Sequence, residues 1–379
     1  MEERQEWQTN SENEEDAKVK KKGSTLTKGY LSKVLSYYPF EVNDIKLLGS
    51  RSGRTTWEVE TDQGPKILKQ AEMKANRMLF IADAHLHLQK NGLPIAPLYR
   101  TKNGGYCIGT KETAFVMYDK VTGTEMIYYN KDQLSRALDF AGKFHIASKG
   151  FDAAEGAKTR GRLGKWHKLY RWKLQELEGN KQIALSFPND PFSIMFLEHV
   201  DKMLERGRKA LADLDRPEYD QWVKQTIDDK SFCQQDFTFA RLVDINQKTF
   251  MRELHSITYD LPARDLRIIL NKVMKKMSIW DKDLAIHMLR SYDQVNPLTK
   301  EQYRVLWTDL AFPHLFCSIA HKYYLGQKRS WSDEKYIWAL QNIIAVEESK
   351  DAFLKEFSNV VSEIKNKNGG KSGGKKEKS

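Results

Sequence analysis

The chain has no run of about 20 apolar residues, the length a membrane-crossing helix needs, and its 379 residues include only three cysteines, Cys107, Cys233 and Cys317. The first lack argues against a helical membrane span. The cysteines lie far apart and form no C-x-x-C pair, which argues against a disulfide framework or a zinc ribbon. The opening stretch MEERQEWQTN holds no apolar segment, so no Sec-type signal is expected and the chain reads as one that folds in the cytosol. No internal repeat is present. His85 and His87 form an H-x-H pair on a helical stretch. Residues two apart on a helix point to different faces, so this pair is not expected to share a metal ion.

A basic stripe with interleaved aromatics, the mark of a nucleic-acid face, is also missing. The formal net charge is +11, but residues 365–379 hold six lysines against one glutamate. The excess on the remaining chain is spread over helices of mixed sign, so nucleic acid is not the expected partner.

What is present suits a dense core: 40% hydrophobic residues, with 9 Trp, 16 Tyr and 17 Phe. Residues 1–25 form a charged leader, acidic at Glu12, Glu14, Glu15 and Asp16, then basic at Lys18 and Lys20–Lys22. They offer little to a core and read as disordered. Residues 365–379 (KNKNGGKSGGKKEKS) read as a flexible basic tail.

Between these ends the periodicity changes once. Residues 26–121 read as a β-rich lobe. Strands are expected at Ile45–Leu48, Thr55–Thr61 and Lys66–Gln70, then at Tyr106–Ile108 after the Asn103-Gly104-Gly105 turn, and at Phe115–Asp119. One helix interrupts them, Asn76–Lys90, with Met78, Ile81, Ala82, His85 and Leu88 on one face. From residue 122 to 364 the pattern is helical: Gln133–Ser148, Arg162–Leu177, Asp190–Leu211, Glu218–Ile227, Arg264–Met277 and Asp281–Tyr292. Thr299 and Gln302 form a capping box. The helix they open is expected to run past Leu306 and Leu310 to Phe316, kinked at Pro313. Ser332–Val346 and Asp351–Ile364 are the last helices. A short β-like stretch, Phe232–Leu254, interrupts the helical part. This order predicts an α+β, two-lobed, protein-kinase-like fold with a small β-rich N-lobe and a large, mainly helical C-lobe.

Phosphoryl transfer in such a fold needs donors over the phosphates, a lysine on them, a carboxylate at the acceptor hydroxyl and oxygen ligands for Mg²⁺. The turn Gly49-Ser50-Arg51-Ser52-Gly53-Arg54 is the candidate phosphate loop, with Gly49, Gly53 and Arg54 its contacts. Lys69, one strand on, is the candidate phosphate lysine. Its customary helical glutamate is missing, since Asn76–Lys90 contains no Glu; Glu72 and Asp83 are the nearest acids.

The stretch Phe232-Cys233-Gln234-Gln235-Asp236-Phe237 resembles the catalytic segment of the aminoglycoside phosphotransferases and choline kinases. Those families carry H-x-D-x-x-x-x-N there, followed by a strand with a metal-binding Asp. Matching residue by residue, Gln234 stands for the His, Asp236 is retained as the acceptor-orienting carboxylate, and Arg241 occupies the Asn ligand position. Glu253 stands at the metal Asp. Asp265 matches an Asp that begins the next helix.

Further segments resemble the CotS family of bacterial endospore coat proteins over roughly residues 30–360: SYYPF (36–40), WEVETDQGPK (57–66), GLPIAP (92–97), YDKVTG (118–123), FHIASKGF (144–151), RLGKWHKLYRWK (162–173) and SITYDLPARDLR (256–267). The resemblance implies a structural coat component, made in the mother-cell cytoplasm and joined to the spore coat by contacts with other coat proteins.

The departures bear on chemistry. A guanidinium has five donors and no acceptor, so Arg241 cannot ligate Mg²⁺. At ~4 Å and an effective dielectric near 20, unit charges interact by about 4 kcal/mol, and a divalent ion would meet more repulsion. Glu253 keeps an oxygen ligand one methylene too long. Arg241 is expected to close the site by an ion pair with Glu253 or Asp236. The favoured reading is therefore a coat pseudokinase. The alternatives are an active ATP-dependent phosphotransferase acting on a coat protein or a small hydroxyl substrate, and a nucleotide-binding assembly switch. ATP and Mg²⁺ belong only to those alternatives. In RLGKWHKLYRWK, Trp166, Leu169, Tyr170 and Lys173 share a helical face, read as core packing with a cationic rim or as a contact for a substrate or partner.

Overall fold

The computed structural model describes residues 28–51, 53–254, 256–327 and 330–369. The expected leader, residues 1–25, and residues 370–379 of the expected tail lie outside them. The chain divides into two compact units that are not consecutive segments. The first runs up to Ile127 and adds Lys143–Gly161 and Lys230–Tyr259; the second takes Tyr128–Gly142, Arg162–Asp229 and everything from Asp260 onward.

The first unit is built on a five-stranded antiparallel sheet in the order β1-β2-β3-β5-β4. Its strands are β1 (Val42–Arg51), β2 (Arg54–Thr61), β3 (Lys66–Ala71), β4 (Ile108–Gly109) and β5 (Ala114–Asp119). β1 is longer than the short strand expected at Ile45–Leu48. Pairing with β2 from Val42↔Thr61 to Arg51↔Arg54 recruits polar flanks that have no strand signal of their own. Helix α1 (Lys28–Leu35) was not anticipated. It sets Leu31, Val34 and Leu35 on Trp57, Val59, Leu68, Phe115 and Met117 of the sheet. Alternation along the strands turns their neighbours Lys69, Val116 and Tyr118 to the opposite face. Helix α2 (Ala75–Lys90) buries the expected stripe Met78, Ile81, Ala82, His85 and Leu88. The His85 ring centroid lies 5.0 Å from that of Tyr118.

A three-stranded sheet joins β6 (Thr124–Glu125) to β7 (Leu242–Ile245) and β8 (Lys248–Met251), the last two lying within the expected β-like stretch. It is tied to the region after α2 by the bridge Ile95↔Met251. An aromatic cluster of Phe80, Phe144, Phe151, Phe232 and Tyr259 holds the unit's three segments together.

The second unit is helical: α4 (Trp166–Leu185), α5 (Pro191–Asp213), α6 (Pro217–Asp228), α7 (Pro262–Met277), α8 (Lys282–Asp293), α9 (Lys300–Ala311), α10 (His314–Tyr324), α11 (Asp333–Lys355) and α12 (Phe357–Gly369). Helix α3 (Lys131–Ala147) spans the boundary between the units. Proline occupies a first-turn position of α5, α6 and α7, where no N–H is missed. Asp190, Asp281 and Ser332 cap α5, α8 and α11, and the Thr299–Gln302 capping box opens α9. α4 and α5 pass so closely at Gly207 that a Cβ there would sit 2.7 Å from Leu174 Cδ2.

Three helix boundaries depart from expectation. Pro313 ends one helix and caps the next instead of kinking a single one. Asp265 does not begin α7; it lies buried in the first turn, after Pro262. The expected gap between Val346 and Asp351 is continuous helix. Two of its charged residues are core rather than break: Glu347 and Lys350 are fully buried, 2.8 Å apart, and Glu347 also takes an ion pair from Arg206. Helix α12 likewise runs into the expected tail. Lys365 binds both carboxylate oxygens of Asp293 at 2.7 and 2.9 Å, which holds that end of the helix in place.

Candidate functional site

Each matched site residue except Asp265 belongs to the first unit. Lys69 stands in the middle of β3, opposite Thr56 on β2 and Val116 on β5. Glu253 follows β8 by two residues. The structure brings these two together as a direct ion pair, with side chains 24% and 13% exposed. The partner a kinase-like lysine usually finds on the helix is thus replaced by the carboxylate from the metal position. Neither acid expected nearby takes that role. Asp83 accepts from the Ala154 N–H at 2.6 Å, and Glu72 lies against Gly53.

Glu253 is held in position by its neighbours. The Tyr118 hydroxyl donates to the Leu254 carbonyl at 3.3 Å, and the Arg252 N–H donates to the Arg241 carbonyl at 2.8 Å. Burial pushes the Glu253 carboxyl up, but Lys69, Arg241 and Arg252 outweigh it and hold the group below its ordinary value.

Arg241 is the last residue of a short 3₁₀ turn, Phe239–Arg241, and Asp236 lies just before that turn. Arg241 Nη1 donates to the Asp236 carbonyl at 2.9 Å and lies 3.8 Å from Asp236 Oδ2. Of the two ion pairs expected for Arg241, the structure has the one with Asp236; Lys69 takes Glu253. The preceding loop is stitched to residues 256–258. Cys233 and Thr258 exchange backbone hydrogen bonds of 2.9 and 3.0 Å, and the Ser256 hydroxyl donates to the Gln234 carbonyl at 3.3 Å. Gln235 holds a left-handed φ of 75°. That conformation is costly for a residue with a Cβ, and such strain concentrates at functional loops.

Arg54, the first residue of β2, joins the same charge cluster. Burial lowers its pKa first and Arg241 lowers it further, while Asp236 and Glu253 oppose them. Gly53 has φ 69°, and a Cβ there would meet Glu72 Oε2 at 2.6 Å. Its glycine is therefore required by turn geometry and by Glu72. Gly49 lies at a β-bulge with open space around it. Ser52 of this loop lies outside the described residues.

Sequence reasoning missed the part played by His85. Its Nε2 lies 2.6 Å from the Ala96 carbonyl, which can only accept, so Nε2 carries the proton. Burial drives its pKa down to about 4. His87 turns elsewhere, with Nε2 2.8 Å from the Lys149 carbonyl. The buried stripe of α2 was the signal for His85; nothing in the sequence pointed to Glu253, whose charge acts on it against the effect of burial.

The oxygen donors fit Mg²⁺ poorly. Asp236 and Glu253 are the carboxylates of the cluster, and each already faces a cation, Arg241 or Lys69. A magnesium ion would have to displace an ammonium and sit beside a guanidinium. A nucleotide phosphate could still meet Arg54 and Lys69, both donors.

Comparison with known proteins agrees with this architecture. A model of the family described as "Spore coat putative kinase YutH" matches residues 12–357. Spore coat protein S of Bacillus subtilis (strain 168) is 61% identical over 335 residues, covering 88% of this chain and 95% of that protein. The endospore coat-associated protein YutH of the same organism is 24% identical over 187 residues, covering 49% of this chain and 53% of that protein. Among solved structures, an aminoglycoside phosphotransferase from Alicyclobacillus acidocaldarius superposes with a TM-score of 0.70 at 17% identity, covering 88% of this chain and 96% of that one. A spectinomycin phosphotransferase gives 0.53 at 11% identity, with 89% and 96% covered. These likenesses establish the kinase-like, aminoglycoside phosphotransferase-like fold.

Proposed function

The chain belongs to the spore coat kinase-like family of YutH, and we propose from that membership that it is a structural component of the bacterial endospore coat whose kinase-like site does not transfer phosphate. Coat membership follows the 61%-identical relative, a spore coat protein by name. Its partners are then other coat proteins, and its path runs from the mother-cell cytoplasm to the coat. No helix among the described residues is long and apolar enough to cross a membrane.

The observation that carries the pseudokinase reading is the Lys69–Glu253 ion pair. A phosphotransferase of this fold uses the lysine on phosphate and the carboxylate on metal. Here the two neutralise each other, and Arg241 brings a third charge to bear on Asp236. The residues that would bind ATP·Mg²⁺ are engaged with one another.

The test is calorimetric titration of the chain with ATP, with and without Mg²⁺. Weak binding that Mg²⁺ does not strengthen is expected. Tight Mg²⁺-dependent binding, lost in Asp236→Ala and Glu253→Ala, would overturn the proposal and favour an active phosphotransferase.

A further inference from the structure

Strand β1 is an edge of the five-stranded sheet. It pairs with β2 alone, so the backbone N–H and C=O groups on its outer side meet no other strand among the described residues. Residues 41–50 are exposed except Ile45, which packs partly buried against the α1 cluster. Val42 is 37% exposed, Leu47 58% and Leu48 49%. A long edge with exposed apolar residues is a template for a further strand. Register shifts at Asn43 and Leu48 bracket a regular run, residues 44–47.

The charges on that run are poorly matched within the chain. Residues directly opposed across antiparallel strands carry their side chains on one face, where like charges repel. Asp44 is opposed to Glu60, a second carboxylate. Lys46 is opposed to Glu58, which already has an ion pair with Lys120. Among the described residues neither Asp44 nor Lys46 has a salt bridge of its own. A cation on the outer side of Asp44 would offset the repulsion from Glu60, and Lys46 carries such a charge two residues away on the same face.

We propose that two copies of this chain associate through β1, paired antiparallel about a two-fold axis at Ile45, so that their five-stranded sheets join edge to edge. A two-fold axis across such a ladder passes between directly opposed residues, so one residue meets its own copy. Centred on Asp44, carboxylate would face carboxylate; centred on Lys46, ammonium would face ammonium. Centred on Leu47, both charges would lie opposite uncharged residues. Within the run, centring on Ile45 alone sets each Asp44 opposite the partner's Lys46, twice by symmetry. Lys46 then sits between two carboxylates, Glu58 of its own copy and the partner's Asp44. Beyond the run, the same register brings Val42 towards the partner's Leu48 and covers apolar surface that one copy leaves open. This self-complementary pattern is what makes a second copy the occupant, in place of an unrelated strand. The edge uses none of Lys69, Asp236, Arg241 or Glu253, so the proposal stands whether or not the candidate site is closed.

The test is sedimentation velocity of the full chain from about 1 to 200 µM at low ionic strength. A dimer that grows with concentration is expected. Lys46→Glu and Asp44→Lys should each weaken it about ten- to a hundredfold, because either substitution turns both symmetric pairs from attraction to repulsion. An equimolar mixture of the two variants should dimerise again with about the wild-type affinity, since each copy supplies the sign that the other lacks. A wild-type chain that stays monomeric at about 200 µM would overturn the proposal and leave the edge to a strand of another protein. So would a dimer equally tight in the wild type and both variants, because the contact would then lie elsewhere. A mixture that associates no better than either variant alone would overturn the register and the proposal with it. Urea melts check that the variants are folded; if one does not fold, unchanged affinity in the other overturns the proposal.

Discussion

Breaking the Lys69–Glu253 pair from one side leaves a charge without its partner in a site 24% and 13% exposed. The gross attraction is about 4 kcal/mol at an effective dielectric near 20. Removing one partner of a fully buried pair costs roughly 3–5 kcal/mol; solvent at Lys69 reduces this to about 2 kcal/mol for Glu253→Leu or Lys69→Met. In a cooperative chain of this length each kcal/mol lowers Tm by only about 1–2 °C, so the loss is better read from urea unfolding. The double variant leaves no orphaned charge and should recover most of the loss, giving a coupling energy of about 1.5–2 kcal/mol. Four proteins and urea melts suffice to measure it. The pH dependence adds a second check. The folded carboxyl of Glu253 is held below its ordinary 4.5, so the stability it contributes is complete above that value and is lost as pH falls through the lower folded one. Glu253→Gln should remove that acid-sensitive component. Additivity of the two single substitutions within about 0.3 kcal/mol would refute the pairing, and with it the reason for reading the site as closed.

Two further outcomes follow from buried groups. Asp309 accepts from Tyr170 at 2.6 Å, His314 at 2.7 Å and Arg267 at 3.0 Å; Asp309→Asn strands Arg267 and should cost about 3–5 kcal/mol in urea unfolding. His85 has its pKa lowered from 6.5 to about 4, so the unfolded chain binds a proton first as pH falls. Stability should drop between those values by on the order of 3 kcal/mol, and His85→Gln should flatten that part of the pH–stability curve.

Much of this fold could be read from local pattern. The Thr55–Thr61 alternation, the α2 stripe and the Thr299–Gln302 box are interactions between near neighbours, so the sequence carries them in plain view. Where reading failed, distant partners decided. The segment Glu347–Lys350 looks like a surface break until Arg206 is placed beside it. Lys365 looks like tail until Asp293 receives it. The Leu31, Val34 and Leu35 pattern of α1 is too short to stand out without the sheet it covers.

The candidate site divides the same way. The sequence by itself determined which groups stand at the catalytic positions: Asp236 kept, Gln234 and Arg241 substituted, Glu253 lengthened, and no glutamate on α2 for Lys69. It could not assign the ion pairs. Lys69 and Glu253 are 184 residues apart, and side-chain charges choose partners by distance and desolvation, which exist only once the sheet and the β7–β8 hairpin are folded. Only the tertiary structure gave Glu253 to Lys69 and Asp236 to Arg241.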